Sequence, residues 1–189
     1  MIAVYAIADH PGPPLPGRVD GLRVVPAYRL AAICGDVEER EVSPNALWRH
    51  EEVVEALMEQ RDLLPVRYGT RLRDEAQVVA AVAERHDALL AALDRVRGAT
   101  ELSLRVAAPP EAPTTGGAVQ RIHEHLAAQA RSSTLLDTRE SADLLRAAYL
   151  VDRAGGEAFT AAVADEQRVN PELRLLCTGP WPPYSFAAA

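Results

Sequence analysis

One short stretch, LLPVRYGT at residues 63–70, constrains this chain more than any other, because a long segment of helical periodicity flanks it on each side. Before it, residues 44–61 carry apolar side chains at Leu47, Trp48, Val54, Leu57 and Met58; after it, Val78, Val79, Val82, Leu89, Leu90, Leu93 and Val96 repeat at helical spacing. The pattern predicts helix, short strand, helix. Within the strand, Val66 and Tyr68 alternate with Arg67 and Gly69, so a two-residue period turns one pair inward and leaves Arg67 facing the other way.

The rest of the first half reads as a sheet. Ile2 to Ala8 is a short apolar run ending at the proline-rich HPGPPLPG, which cannot continue a ladder. Residues 22–28 and 30–37 supply two further strands, joined near Tyr28 and Arg29. Ser43 before Pro44 predicts a helix start, since the hydroxyl accepts from a free amide and proline suits the first helical position. Glu51, Glu52, Glu55 and Glu59 are expected to form the solvated face of that helix. Asp74 and Gln77 resemble a capping box for a second helix that ends before Gly98.

From Thr100 the sequence TELSLRVA alternates as a strand, and APPEAPTTGG breaks regular structure as a loop. A helix over 118–131, a weak strand in SSTLLDTRE, and a strand in the second half of 143–153 follow. A helix with Phe159 and Val163 inward and a last strand at 173–177 complete the order β-α-β-β-α-β, that of a ferredoxin-like fold. The prediction is an α+β protein of two small α+β domains, residues 1–98 and 99–189, the second ferredoxin-like and ending in the GPWPPYSF tail.

Composition limits the chemistry. All 20 basic residues are arginine, which excludes a Schiff-base lysine and a Walker-type phosphate loop. A net charge of −7 argues against general binding to nucleic acid or to an anionic membrane. Cys34 and Cys177 stand far apart and read as small buried hydrophobes. His123 and His125, two apart on a helix, point in different directions and do not suit a shared metal. No GxSxG setting occurs, no catalytic residue is assigned, and no cofactor or metal is expected. The N-terminus lacks a basic segment and no run approaches about 18 apolar residues, so a cytoplasmic protein is expected.

Two features point to a partner. Arg67, Arg71 and Arg73 cluster in an otherwise acidic chain, either to receive a carboxylate or to pair with the glutamate-rich helix. In GPWPPYSF the prolines stiffen a backbone bearing Trp181, Tyr184 and Phe186, which either dock back onto the other domain or are recognised by a partner. Arg67, Tyr68, Arg71, Trp181, Tyr184 and Phe186 are therefore the candidate partner-interface residues.

The succession LWRHEEVVEALME, LPVRYGTRLRDE, RVRGATELSLRV, AAYLVDR and TGPWPPYSF, from Leu47 to Phe186, resembles the GvpL/GvpF gas vesicle protein family. That resemblance implies two α+β domains, the second a modified ferredoxin-like fold, and a non-enzymatic accessory role. Its implied partners are the hydrophobic shell protein and other gas vesicle accessory proteins, which it would assist in nucleation and assembly. The segment between TELSLRV and AYLVDR is shorter than in many members, which carry a helical insertion there. A different class of reading, a small-ligand-binding regulatory module of ferredoxin-like type, follows from the fold alone.

Overall fold

The computed structural model describes residues 1–17, 19–37, 43–109, 116–139 and 142–188. The chain divides into two compact units, Met1–Arg97 with Pro182–Ala189, and Gly98–Trp181. The units divide next to the boundary expected between residues 98 and 99, and the tail expected with the second domain groups with the first unit. Beyond Trp181 the tail leaves the second unit and packs with the first, because its aromatic side chains find their apolar cover there.

In the first unit, β1 (Ile2–Asp9) is the central strand. It pairs antiparallel with β3 (Leu30–Asp36) on one side, and β2 (Leu22–Ala27) extends the sheet beyond β3. On its other side lie β4 (Leu63–Pro65) and β5 (Arg71–Leu72). Helix α1 (Pro44–Met58) starts as the sequence predicts: the Ser43 hydroxyl accepts from the Ala46 amide at 3.2 Å, and Pro44 opens the helix. Its Val54 and Leu57 pack on Ala6, Ala8, Ile33 and Leu63. Alternation turns Ile7, Ala32 and Leu64 to the opposite face.

The expected single second helix is two, α2 (Glu75–Glu84) against β2 and β3, and α3 (His86–Val96) against β4. Asp74 caps α2 by accepting from the Gln77 amide at 2.8 Å, as the capping pattern predicts. At Arg85 the backbone leaves helical values (φ −115°, ψ 17°), so each helix follows its own part of a twisted sheet. The apolar repeat runs through this break without a change of phase, since Val82 and Leu89 lie seven residues apart.

The predicted strand over 63–70 is also corrected. Residue-to-residue pairing with β1 stops at Pro65 and resumes at Arg71, while the Val66 amide still donates to the Tyr5 carbonyl at 2.9 Å and the Val4 amide to the Thr70 carbonyl at 3.1 Å; residues 67–69 between them are extruded as a turn, closed by the Thr70 amide donating to the Arg67 carbonyl at 3.2 Å. Gly69 has φ 88°, a conformation that L side chains rarely adopt, and a strand cannot pass through it.

The second unit is built from β6 (Ala99–Ala107), α4 (Gly116–Ala127), β7 (Ser132–Leu135), β8 (Leu145–Asp152), α5 (Gly156–Val169) and β9 (Arg174–Trp181). Its four strands are antiparallel in the order β7-β8-β6-β9, the pairing on which the ferredoxin-like reading rests. Leu102, Leu104, Val106, Ala147, Tyr149 and Val151 face Val119, Ile122, Leu126, Phe159 and Val163 of the two helices. Most of the loop expected at 108–117 lies outside the described residues.

The last strand runs four residues further than expected. It does so through a bulge: Thr178 pairs with Ser103 and Trp181 with Glu101, so β9 carries one extra residue. Gly179, at φ 126°, fills the bulge where a Cβ would lie 2.8 Å from the Glu101 carbonyl. Strict alternation from Leu175 and Cys177, which pack on the core, would send Trp181 inward. The extra residue reverses that phase and sets Trp181 on the same face as Glu101 and Ser103.

Candidate interaction surfaces

The six residues singled out from sequence fall into separate environments. Arg67 is exposed at the head of the extruded turn, where its carbonyl accepts from both the amide and the hydroxyl of Thr70. Among the described residues neither Arg67 nor Arg73 forms an ion pair, so for these two the alternative of pairing with the glutamate-rich helix is corrected. Glu51 of that helix is half-buried and accepts instead from the Tyr184 hydroxyl at 3.3 Å. Burial pushes the Glu51 carboxyl up, with the Tyr184 hydrogen bond opposing it, and burial raises the Tyr184 phenol as well. The face expected to be wholly solvated is thus partly committed, while Leu47 and Trp48 of α1, expected inward, are 43% and 70% exposed.

The tail docks. Tyr184 packs against the α1 core, and Phe186 is 7% exposed. Arg95 of α3 donates to the carbonyls of Phe186 at 2.9 Å and Ala188 at 2.8 Å. The Phe186 ring is therefore buried within the first unit, an internal anchor of the tail. Tyr184 and Arg67 line one hollow of the first unit with Ile7, Leu64, Arg85 and Leu89. Trp181, in the second unit, is 41% exposed and its indole N–H donates to Thr178 Oγ1 at 3.2 Å.

Tyr68 and Arg71 line a different cleft of the first unit, of about 470 Å³, with Tyr5, Asp20, Asp36, Arg49 and His50. Its origin lies in β1. Between Val4 and Ala6 the register with β3 slips, leaving Tyr5 as the extra residue, and on the opposite edge the ladder is interrupted by the extruded turn. A bulge of this kind re-aims a side chain. The Tyr5 ring stacks on His50 at 4.9 Å, and Tyr68 meets the other side of the arrangement edge-on to His50 at 5.6 Å. His50 Nε2–H donates to the Val66 carbonyl at 2.8 Å, and burial holds its pKa below the usual histidine value. By sequence Tyr5 reads as a strand residue and His50 as an interhelical or surface residue of a helix; their separation of 45 positions leaves no local signal of the pairing.

Among the described residues no group of three or more His, Cys, Asp or Glu could hold a metal ion, and no helix is long and apolar enough to cross a membrane. His123 is bonded to the Tyr149 hydroxyl at 2.8 Å and His125 to Glu166, so each has its own partner.

This two-unit α+β protein with antiparallel sheets matches two solved structures along its whole length. They are crystal structures of gas vesicle protein GvpF from Microcystis aeruginosa (TM-score 0.85, 16% identity, 100% of this chain and 99% of that one) and from Anabaena (TM-score 0.86, 18% identity, 100% and 96%). At these identities the likeness is one of fold. The family model described as gas vesicle synthesis protein GvpL/GvpF matches residues 2–116 and 114–188. Similar sequences include gas vesicle protein F2 of Halobacterium salinarum, 27% identical over 85% of this chain and 77% of that protein. Gas vesicle protein L of a Streptomyces species is 29% identical over 86% and 77%. The chain belongs to the GvpL/GvpF family of gas vesicle proteins, and is a gas vesicle accessory protein.

Proposed function

We propose that this protein is a non-enzymatic assembly factor that works in the cytoplasm at forming gas vesicles, binding the hydrophobic shell protein and keeping it dispersed during nucleation. Family membership over nearly the whole chain is the observation that carries this reading. The physical support is a combination: a net charge of −7 with large apolar side chains left outside, Trp48 and Trp181 among them. Such a surface masks a sticky face while charge repulsion keeps the complex in solution.

The contact is assigned to Arg67, Tyr68, Arg71 and the half-buried Tyr184 on the first unit, and to Trp181 on the second. Phe186 acts behind them by holding the tail. Other gas vesicle accessory proteins are further partners in this reading, and neither nucleic acid nor membrane is one.

The test is co-expression with the shell protein, scoring the soluble fraction. Wild type is expected to raise it, and Arg67→Glu and Trp181→Ala to lower it while their thermal unfolding stays unchanged. Undiminished co-purification by both folded variants sinks the placement. Normal vesicles, by electron microscopy, in vesicle-forming cells that lack the gene and every paralogue sink the role itself.

A further inference from the structure

The cleft around Tyr5 is lined by polar groups that no described residue engages. Among the described residues the phenol hydroxyls of Tyr5 and Tyr68 and the guanidinium of Arg49 have no hydrogen-bond or ion-pair partner, although all three residues line the same cleft. Arg49 is exposed and the two tyrosines are half-buried, so all three groups are open to solvent and to a ligand entering the cleft. The nearby charges are accounted for differently. Asp36 is paired with Arg23 at 3.0 Å, and Asp20 lies on the rim with no arginine bound to it among the described residues.

The three groups are also close to one another. The Tyr5 and Tyr68 rings both contact His50, and Arg49 is its neighbour on α1. Arg49 is near enough to Tyr5 to favour the ionised phenol, against the burial that raises its pKa. His50 spends its Nε2–H on Val66 and is held neutral by burial, so it supplies ring surface and no charge.

We propose that this cleft binds a carboxylate group, with the Arg49 guanidinium and the Tyr5 and Tyr68 hydroxyls as its donors. A planar monoanion suits one guanidinium fork and two O–H donors. A dianionic phosphate does not, because Asp20 and Asp36 on the same cleft repel a second charge. The volume of about 470 Å³ accommodates a small organic acid or one side chain of a peptide. This inference shares Tyr68 with the shell-protein contact proposed above but does not rest on that reading, since its test uses small carboxylates and no shell protein.

The experiment titrates the full chain with sodium benzoate, with an end-blocked glutamate peptide and its glutamine counterpart, and with inorganic phosphate, following protein resonances by NMR. Saturable shifts centred on Tyr5, Arg49, His50 and Tyr68 are expected with the first two probes, or with one of them, which then tells a free acid from a peptide side chain. Arg49→Gln, a change at an exposed position, is expected to weaken binding about 10- to 100-fold, and Tyr68→Phe about 3- to 10-fold. Tyr5→Phe provides a second probe should either variant prove unstable. Absence of saturable binding by benzoate and peptide alike overturns the proposal. So does binding by Arg49→Gln at wild-type strength, equal binding of the glutamine peptide, or tighter binding of phosphate than of either carboxylate.

Discussion

Each unit of this protein places a histidine against tyrosine, and the two arrangements have opposite characters. In the second unit Tyr149 is fully buried, its hydroxyl is bonded to His123 at 2.8 Å, and its ring lies 5.1 Å from Phe159. In the first unit Tyr5 and Tyr68 flank His50, yet the histidine bonds to backbone and both hydroxyls stay without a partner among the described residues. The same residue types thus serve as a satisfied core pair in one place and as an open donor set in the other. What separates them is backbone regularity: Tyr149 sits in an unbroken ladder between β6 and β7, whereas Tyr5 sits at a slip in register.

The comparison breaks most visibly in the core. Phe159→Ala is expected to cost about 3–5 kcal/mol in urea unfolding, because the ring is 1% exposed and leaves a cavity beside Tyr149. A loss under about 1 kcal/mol would mean that the second core collapses around the gap, contrary to its close packing. Tyr149→Phe is expected to cost about 1–2 kcal/mol, since it strands the His123 nitrogen in a part-buried site. If that variant is as stable as wild type, the pair is not the satisfied structural one described here.

A smaller effect is expected from pH. Burial lowers the folded pKa of His50 below its ordinary value of 6.5, so the unfolded chain binds the proton more readily. The stability that neutral His50 contributes is fully present above pH 6.5 and is lost as pH falls from 6.5 through the lower folded pKa. Denaturation midpoints measured across that window should fall more steeply in wild type than in His50→Gln; parallel profiles would remove His50 from the buried set. The smallest change is expected from Tyr68→Phe, within about 0.5 kcal/mol of wild type, because among the described residues its hydroxyl has no partner to lose. A cost comparable to that of Tyr149→Phe would erase the distinction between the two arrangements.

The second unit was the more legible in sequence. Alternation in TELSLRVA, the inward Phe159 and Val163, and the strand in AAYLVD all follow from apolar periodicity, which long regular elements express strongly. The Ser43 and Asp74 caps were legible for a related reason, since both act within three residues. The break at Arg85 left no mark, because the apolar phase is the same on both sides of it.

The candidate surface was legible only in its residue types. Arginines in the turn and aromatics in the tail were apparent, but the division between hollow, cleft and buried anchor was not. The exposure of Trp48 reversed what the helical pattern suggested, since it depends on what the rest of the chain brings alongside. Likewise the tail was rightly read as able to dock, while the arginine that receives it stands 91 positions away.

By itself the sequence determined the α+β class, the order of elements in the second unit, the local caps and the family, because these depend on periodicity, short-range hydrogen bonds and motif order along the chain. Tertiary structure alone decided the extruded turn, the slip at Tyr5, the outward face of Trp181 and the convergence of Tyr5, Arg49 and Tyr68. Each of these is a matter of register between strands distant in sequence, and a shift of one residue in register moves a side chain from one face of a sheet to the other.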